Sequence, residues 1–164
     1  MSAPVAVLVL SRLEAAHLTA LTLQFSDLVS ASAPAAHDPA VARLVPDAYR
    51  DDAEAAQEFR SLTEGDLLQR RADDAALVLA SLRSDGDVLD PTQLGDEDAT
   101  VEYAVALDAE HAGAWLRTLS ALRLVLASRL GIESETDEDS ADPRFGVYDW
   151  LGYRLDGLVR ALED

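Results

Sequence analysis

Three arginines, Arg117, Arg123 and Arg129, sit in the nearly apolar stretch from Ala114 to Ile132. A guanidinium is always charged and presents its donors as a planar fork. Among leucines it can hold an anionic ligand, serve a membrane device, or join helices through an ion pair. At about 100° per residue, Trp115, Leu119, Leu122, Leu126 and Leu130 form one stripe, and Arg117 projects roughly opposite it. Arg129 lies at a margin where its long stem can snorkel to water. Arg123 falls inside the apolar surface, beside Leu116. A second stretch repeats the anomaly: Leu67, Leu68, Val78, Leu79 and Leu82 share a face, and Arg71 lies in its middle. Asp74 borders that face one turn later, within reach of Arg71. Nearer the N-terminus, Glu14 lies in line with Leu21 and Phe25.

A buried charge without a partner is too costly to persist. The expected arrangement is therefore a structural ion-pair network of Glu14, Arg71, Asp74 and Arg123. Both arginines should be mostly buried, with Asp74 and Glu14 as the first carboxylates to pair with them. An internal polar pocket for an anionic ligand is the competing reading. The membrane device fails because the arginines are spread around the circumference.

Other chemistry is sparse. No phosphate-cradling glycine loop, no GxSxG and no HExxH occurs, and cysteine is absent, which removes disulfides and thiolate ligands. His17 follows Glu14 by one turn, but nothing local supplies a third metal ligand. Asp108, Glu110 and His111 read as a helix cap with charges that suit the helix dipole. The run ETDEDSAD lacks the glycine and spacing of an EF-hand. No catalytic residue, no metal and no cofactor is expected. Near the C-terminus, Val147, Leu151, Leu155, Leu158 and Leu162 make an inward stripe with Tyr148 alongside. Trp150 and Tyr153 lie off that stripe, where they either cover a neighbouring loop or anchor a protein interface.

These side chains need elements to position them. PVAVLVLS reads as a short buried strand, and SRLE as a capping box opening a helix from Arg12 to about Val29 with the stripe Leu18, Leu21, Phe25 and Leu28. DPAVARL is a one- or two-turn helix with Asp38 as cap and Pro39 at the first position. DDAEAAQEFRSL makes a helix capped by Asp51 or Asp52, and a separate one starts at a Thr63 cap and stops at Gly86. After a turn-rich connection, TVEYAVALD alternates Val101, Tyr103, Val105 and Leu107 on one side of a strand. Asp108 then caps the arginine-bearing helix, which ends at Gly131. A last helix, VYDWLGYRLDGLVRAL, closes the chain. Two strands cannot stand alone, so the expected fold is mostly α (α+β), a helical bundle with a small two-stranded β ribbon. Residues 1–164 form one globular domain, with a mobile acidic loop at about 133–144.

Bulk composition agrees. A chain of 164 residues suits one domain, and 49% hydrophobic residues supply a core. All thirteen basic residues are arginine, against 31 Asp and Glu, for a net charge of −18. That balance opposes nucleic acid and anionic membranes, and it speeds encounter with basic partners. The apolar N-terminus is short and runs into Arg12 and Glu14, so neither a signal peptide nor a membrane span is expected, and the cytoplasm is the default.

Four segments in a fixed order carry a resemblance: DPAVARLVPDAYRDD, EFRSLTEGDL, AEHAGAWLRTLSALRLVLASRLGIE and FGVYDWLGYRLDGLV. They resemble the actinobacterial family of uncharacterised proteins that includes the oxidative-stress response regulator AosR. The resemblance implies a cytoplasmic, non-enzymatic regulator that influences transcription through extracytoplasmic-function sigma factors, with genes often beside the ClpS proteolytic adaptor. The family commonly shows an Asn-Asp pair before its LRL core; here that pair is Ser120 and Ala121, while Arg123 is kept. Cysteine-based oxidation sensing, proposed within that family, cannot operate in a cysteine-free chain.

The expected function is a protein-interaction module acting on transcription or a stress response through a protein partner such as a sigma factor. An adaptor or accessory factor in regulated proteolysis is the runner-up, followed by a small-molecule-binding domain. A homodimer is a further expectation. Direct DNA binding is not expected, because counterion release needs clustered cations. The isolated protein should give no sequence-selective mobility shift at near-physiological salt; a selective shift would overturn this.

Overall fold

The computed structural model describes residues 2–31, 38–45, 53–83, 86–132 and 143–164. Two strands feed two helices in the same way. Strand β1 (Ala6–Ser11) runs directly into α1 (Arg12–Ser30), and β2 (Glu102–Leu107) runs through Asp108 into α5 (Ala109–Leu130). Each junction is fixed by a side-chain cap. Ser11 accepts from the Glu14 amide while Glu14 reaches back to the Ser11 amide, and Asp108 accepts from the His111 amide. These bonds satisfy amides that the first helical turn leaves without partners.

The strands pair antiparallel, with Ala6 opposite Leu107 and Ser11 opposite Glu102. The ribbon buries Ala6, Leu8 and Leu10 with Val105 and Leu107, and half-buries Tyr103. Val101, expected on that inner side, precedes the strand and is exposed. Tyr103 donates its hydroxyl hydrogen toward the Leu82 and Arg83 carbonyls, tying β2 to the end of α3 (Ala53–Leu82).

The helices stack in series: α1 packs on α3, α3 on α5, and α5 on α6 (Pro143–Glu163). Two short helices, α2 (Pro39–Ala42) and α4 (Asp96–Ala99), complete the described elements. The core holds Leu10, Leu18, Val78, Leu82, Leu107, Trp115, Leu119, Leu151 and Leu158, each with almost no exposed surface. The chain is thus mostly α with a small β ribbon. No helix among the described residues is long and apolar enough to cross a membrane.

Three boundaries depart from the expectations. Thr63 opens no helix; α3 runs without a break from Ala53 to Leu82. A single glycine, Gly65, weakens a helix interior by about 1 kcal/mol, and packing against α1 and α5 outweighs that. The same helix ends at Leu82, before Gly86, whose φ of +87° marks a turn. Helix α6 begins at Pro143, one turn earlier than its apolar stripe, because proline suits the first helical position. Pro143 and Arg144 therefore belong to α6, and the acidic loop assigned to about 133–144 otherwise lies outside the described residues, as do Asp51 and Asp52.

Two glycines should respond oppositely to alanine. Gly65 is helical, and a methyl group there meets nothing within 4 Å. Gly131 caps α5 at φ +71°, a conformation unfavourable for side chains. In thermal unfolding Gly65→Ala should stabilise by about 0.5–1 kcal/mol and Gly131→Ala should destabilise by about 1 kcal/mol. Destabilisation by Gly65→Ala would contradict the continuous helix.

Candidate functional site

The capping box places the Glu14 carboxylate at the junction of ribbon and bundle. From α6, Trp150 and Arg154, one turn apart, converge on it. Trp150 Nε1 donates to Glu14 Oε1 at 2.9 Å, and Arg154 Nη2 donates to both carboxylate oxygens, 2.7 Å from Oε2. The Ser11 amide donates to Oε2 at 2.9 Å, and Arg154 Nη1 also donates to the Val9 carbonyl at 3.3 Å. One carboxylate thereby ties β1, α1 and α6 together. Partial burial pushes the Glu14 pKa up, but hydrogen bonds from Arg154, Ser11 and Trp150, with the Arg154 charge, outweigh that and hold it below its usual value.

The expected network is regrouped. Glu14 does not meet Arg123; it takes Arg154, which sequence reasoning passed over. A signal existed: Arg154 lies three residues after Leu151, about 60° from it, on the inward half of the last helix. Asp74 does not pair with Arg71. It accepts from Arg117 side-on, at 2.8 Å from Nε and 2.9 Å from Nη2. Arg117 lies opposite the leucine stripe, yet α5 has neighbours on more than one side, and α3 fills that one. The pair stays near solvent, with the Arg117 side chain 55% exposed.

Arg71 and Arg123 are half-buried, and neither has a carboxylate partner among the described residues. Arg123 lies over the Tyr148 ring, its guanidinium carbon 4.2 Å from the centroid, and Nε donates to the Tyr148 carbonyl at 3.4 Å. Gly152 leaves it room: a methyl group there would stand 3.1 Å from that carbon. An aromatic face thus does for Arg123 what an acid was expected to do. Arg129, placed at a margin, makes a two-pronged bond to Asp38 at 2.8 and 2.7 Å, linking α5 to the cap of α2. Its hydrogen bonds keep the Asp38 carboxyl below its ordinary pKa. His111 stays on its own cap, with Nδ1 2.8 Å from Asp108 Oδ1. No group of three or more His, Cys, Asp or Glu arranged for a metal occurs among the described residues.

Of the two aromatics expected at an interface, Trp150 is half-buried on the Glu14 junction, whereas Tyr153 is 70% exposed. Trp150 also lines a cleft of about 380 Å³ between α1 and α6, with Glu14, His17, Leu21 and Val147. A second hollow of about 280 Å³ opens between α1 and α5, lined by Leu21, Phe25, Leu28, Leu122, Val125 and Leu126. Leu21 borders both. A further surface escaped the sequence reading: on the outer face of the ribbon, Val5, Val7 and Val9 are each about half exposed, beside exposed Ala104 and Ala106.

A family model described as a domain of unknown function, DUF2017, matches residues 2–162. No curated protein and no solved structure matches the chain.

The junction has a pH signature. The folded pKa of Glu14 is lowered, so its stabilisation is fully present above the ordinary glutamate value of 4.5 and is lost as pH falls through the lower folded value. Arg154→Met should cost about 1–3 kcal/mol in urea unfolding at neutral pH. The gap between variant and wild type should close in strong acid; a gap independent of pH would contradict the assignment.

Proposed function

The chain belongs to the DUF2017 family, a domain family of unknown function, and we propose that it is a non-enzymatic protein-interaction module. In this reading it regulates transcription or a stress response in the cytoplasm, through a protein partner such as a sigma factor. The resemblance to the actinobacterial family that includes AosR supplies the regulatory part of the proposal.

The outer face of the ribbon is the observation that carries the interaction part. A strand with one face to solvent alternates apolar and polar residues; a strand apolar throughout is made to be covered on both faces. Strand β1 is of the second kind, with Val7 and Val9 uncovered and facing outward across from Ala106 and Ala104. A contiguous, uncharged patch on a chain of net charge −18 marks a contact surface. Tyr153 adds an exposed ring near its edge, because Arg154 reaches both the Val9 carbonyl and, at 5.4 Å, the Tyr153 ring.

An adaptor in regulated proteolysis would use the same surfaces, so the partner's identity separates the two readings. A small-molecule function draws on the cleft beside Trp150, whose size lies within the usual range. The Glu14 carboxylate at its end is already bonded to Arg154, Trp150 and Ser11, however, which leaves few polar groups to orient a ligand.

Affinity capture from the source cell followed by mass spectrometry tests the proposal, using wild type and the Val7→Ser/Val9→Ser double variant. A transcription component should be retained by wild type and lost by the variant. Protease subunits or adaptors in its place would transfer the reading to proteolysis. Capture of nothing beyond an empty matrix would defeat both.

A further inference from the structure

We propose that the apolar groove along α1, walled first by α6 and then by α5, receives one amphipathic helix of a basic partner. The proposal deepens the interaction-module reading and rests on it.

The groove exists because the bundle is not closed. Four long helices in a ring have four seams between neighbours. Three are packed: α1 on α3, α3 on α5, and α5 on α6. At the fourth, α1 and α6 are joined by the bonds of Glu14 to Trp150 and Arg154, and beyond that junction the cleft opens. The cleft and the hollow over α5 meet at Leu21, so apolar lining continues along the flank of α1 from His17 to Leu28. That is twelve residues, about three turns or about 16 Å. Leu21, Leu28, Leu126, Val147 and Trp150 all remain half-buried there, short of full cover.

The walls decide what conformation fits. They are mostly side chains of helices, whose backbone groups beyond the first turn of α6 are bonded internally, so the groove offers no continuous row of amides and carbonyls along its length. An extended peptide would bury its backbone there unpaired, at a cost of a few kcal/mol per group. A helix satisfies its own backbone and offers only side chains, with apolar anchors three and four residues apart.

Charge decides the kind of helix. The lining is mostly apolar, its charged members Glu14 and Arg129 are already paired with Arg154 and Asp38, and the chain as a whole carries −18. A helix with an apolar inner face and lysines or arginines outside complements both features. A second copy of this acidic chain would be repelled.

The probe is a synthetic helix of about four turns, with leucines on one face and lysines on the other. Trp150 reports its arrival, because the other tryptophan, Trp115, is only 1% exposed. The peptide should shift Trp150 emission, and a scrambled peptide of equal charge should bind at least tenfold more weakly. Leu21→Ser should weaken binding about tenfold. Gln24→Arg, at an exposed rim position that leaves the core untouched, should also weaken it by repelling the lysines. The ribbon variant Val7→Ser/Val9→Ser should bind the peptide as wild type does. Equal affinity for the scrambled peptide, or indifference to both groove variants, would falsify the docking site even if cellular capture still identified a regulatory partner. Groove-dependent peptide binding with no cellular partner would uphold the site and refute the regulatory reading alone.

Discussion

The carboxylate of Glu14 joins three elements, β1, α1 and α6, at one point. It closes the first turn of α1, receives Arg154 and Trp150 from α6, and through Arg154 reaches the backbone of β1. Its oxygens are almost fully used, by two arginine contacts, an indole and an amide. That is how a partly buried charge is stabilised: by charge-assisted bonds that replace water. The carboxylate pins α6, which packs on α5, to the ribbon beside the open seam.

Arg123 met the same physical problem with a different solution. A guanidinium on an apolar helix face needs its charge compensated, and an acidic chain has carboxylates in abundance. Instead, the ring of Tyr148 lies beneath it and the missing side chain of Gly152 gives it room. A flat cation stacks well on an aromatic face, and no carboxylate has to be desolvated as well. Two other ion pairs, Arg117 with Asp74 and Arg129 with Asp38, lie near water and link neighbouring helices.

An acidic composition hides apolar surface in two places, and both arise from incomplete closure. Two strands make a ribbon with one inner and one outer face, and the bundle covers only the inner one. Of the four long helices, α1 and α6 are joined at the Glu14 junction and leave a cleft beside it. The two surfaces differ in what they can accept. The ribbon face is shallow and built of small branched residues, whereas the groove is long and has walls. The net charge of −18 disfavours anionic surfaces and favours encounter with basic ones.

Local physics was legible in the sequence, because local bonds join near neighbours. Ser11 with Glu14, Asp38 with Pro39, Asp108 with its helix and Gly131 at its end are all set by contacts within five residues. Apolar spacing likewise picked out Leu18, Phe25, Trp115, Leu119, Leu151 and Leu158, since a stripe records which face is buried. It does not record what lies against that face. Glu14 and Arg154 are 140 residues apart, and Arg117 and Asp74 are 43 apart. Only the stacking order of the helices could choose Arg154 and Arg117 over Arg123 and Arg71. The fate of β1 was hidden for the same reason. Seven apolar residues in a row announce a strand to be covered on both faces, but whether this chain supplies the second cover depends on where its other elements go, and the described helices go to one side.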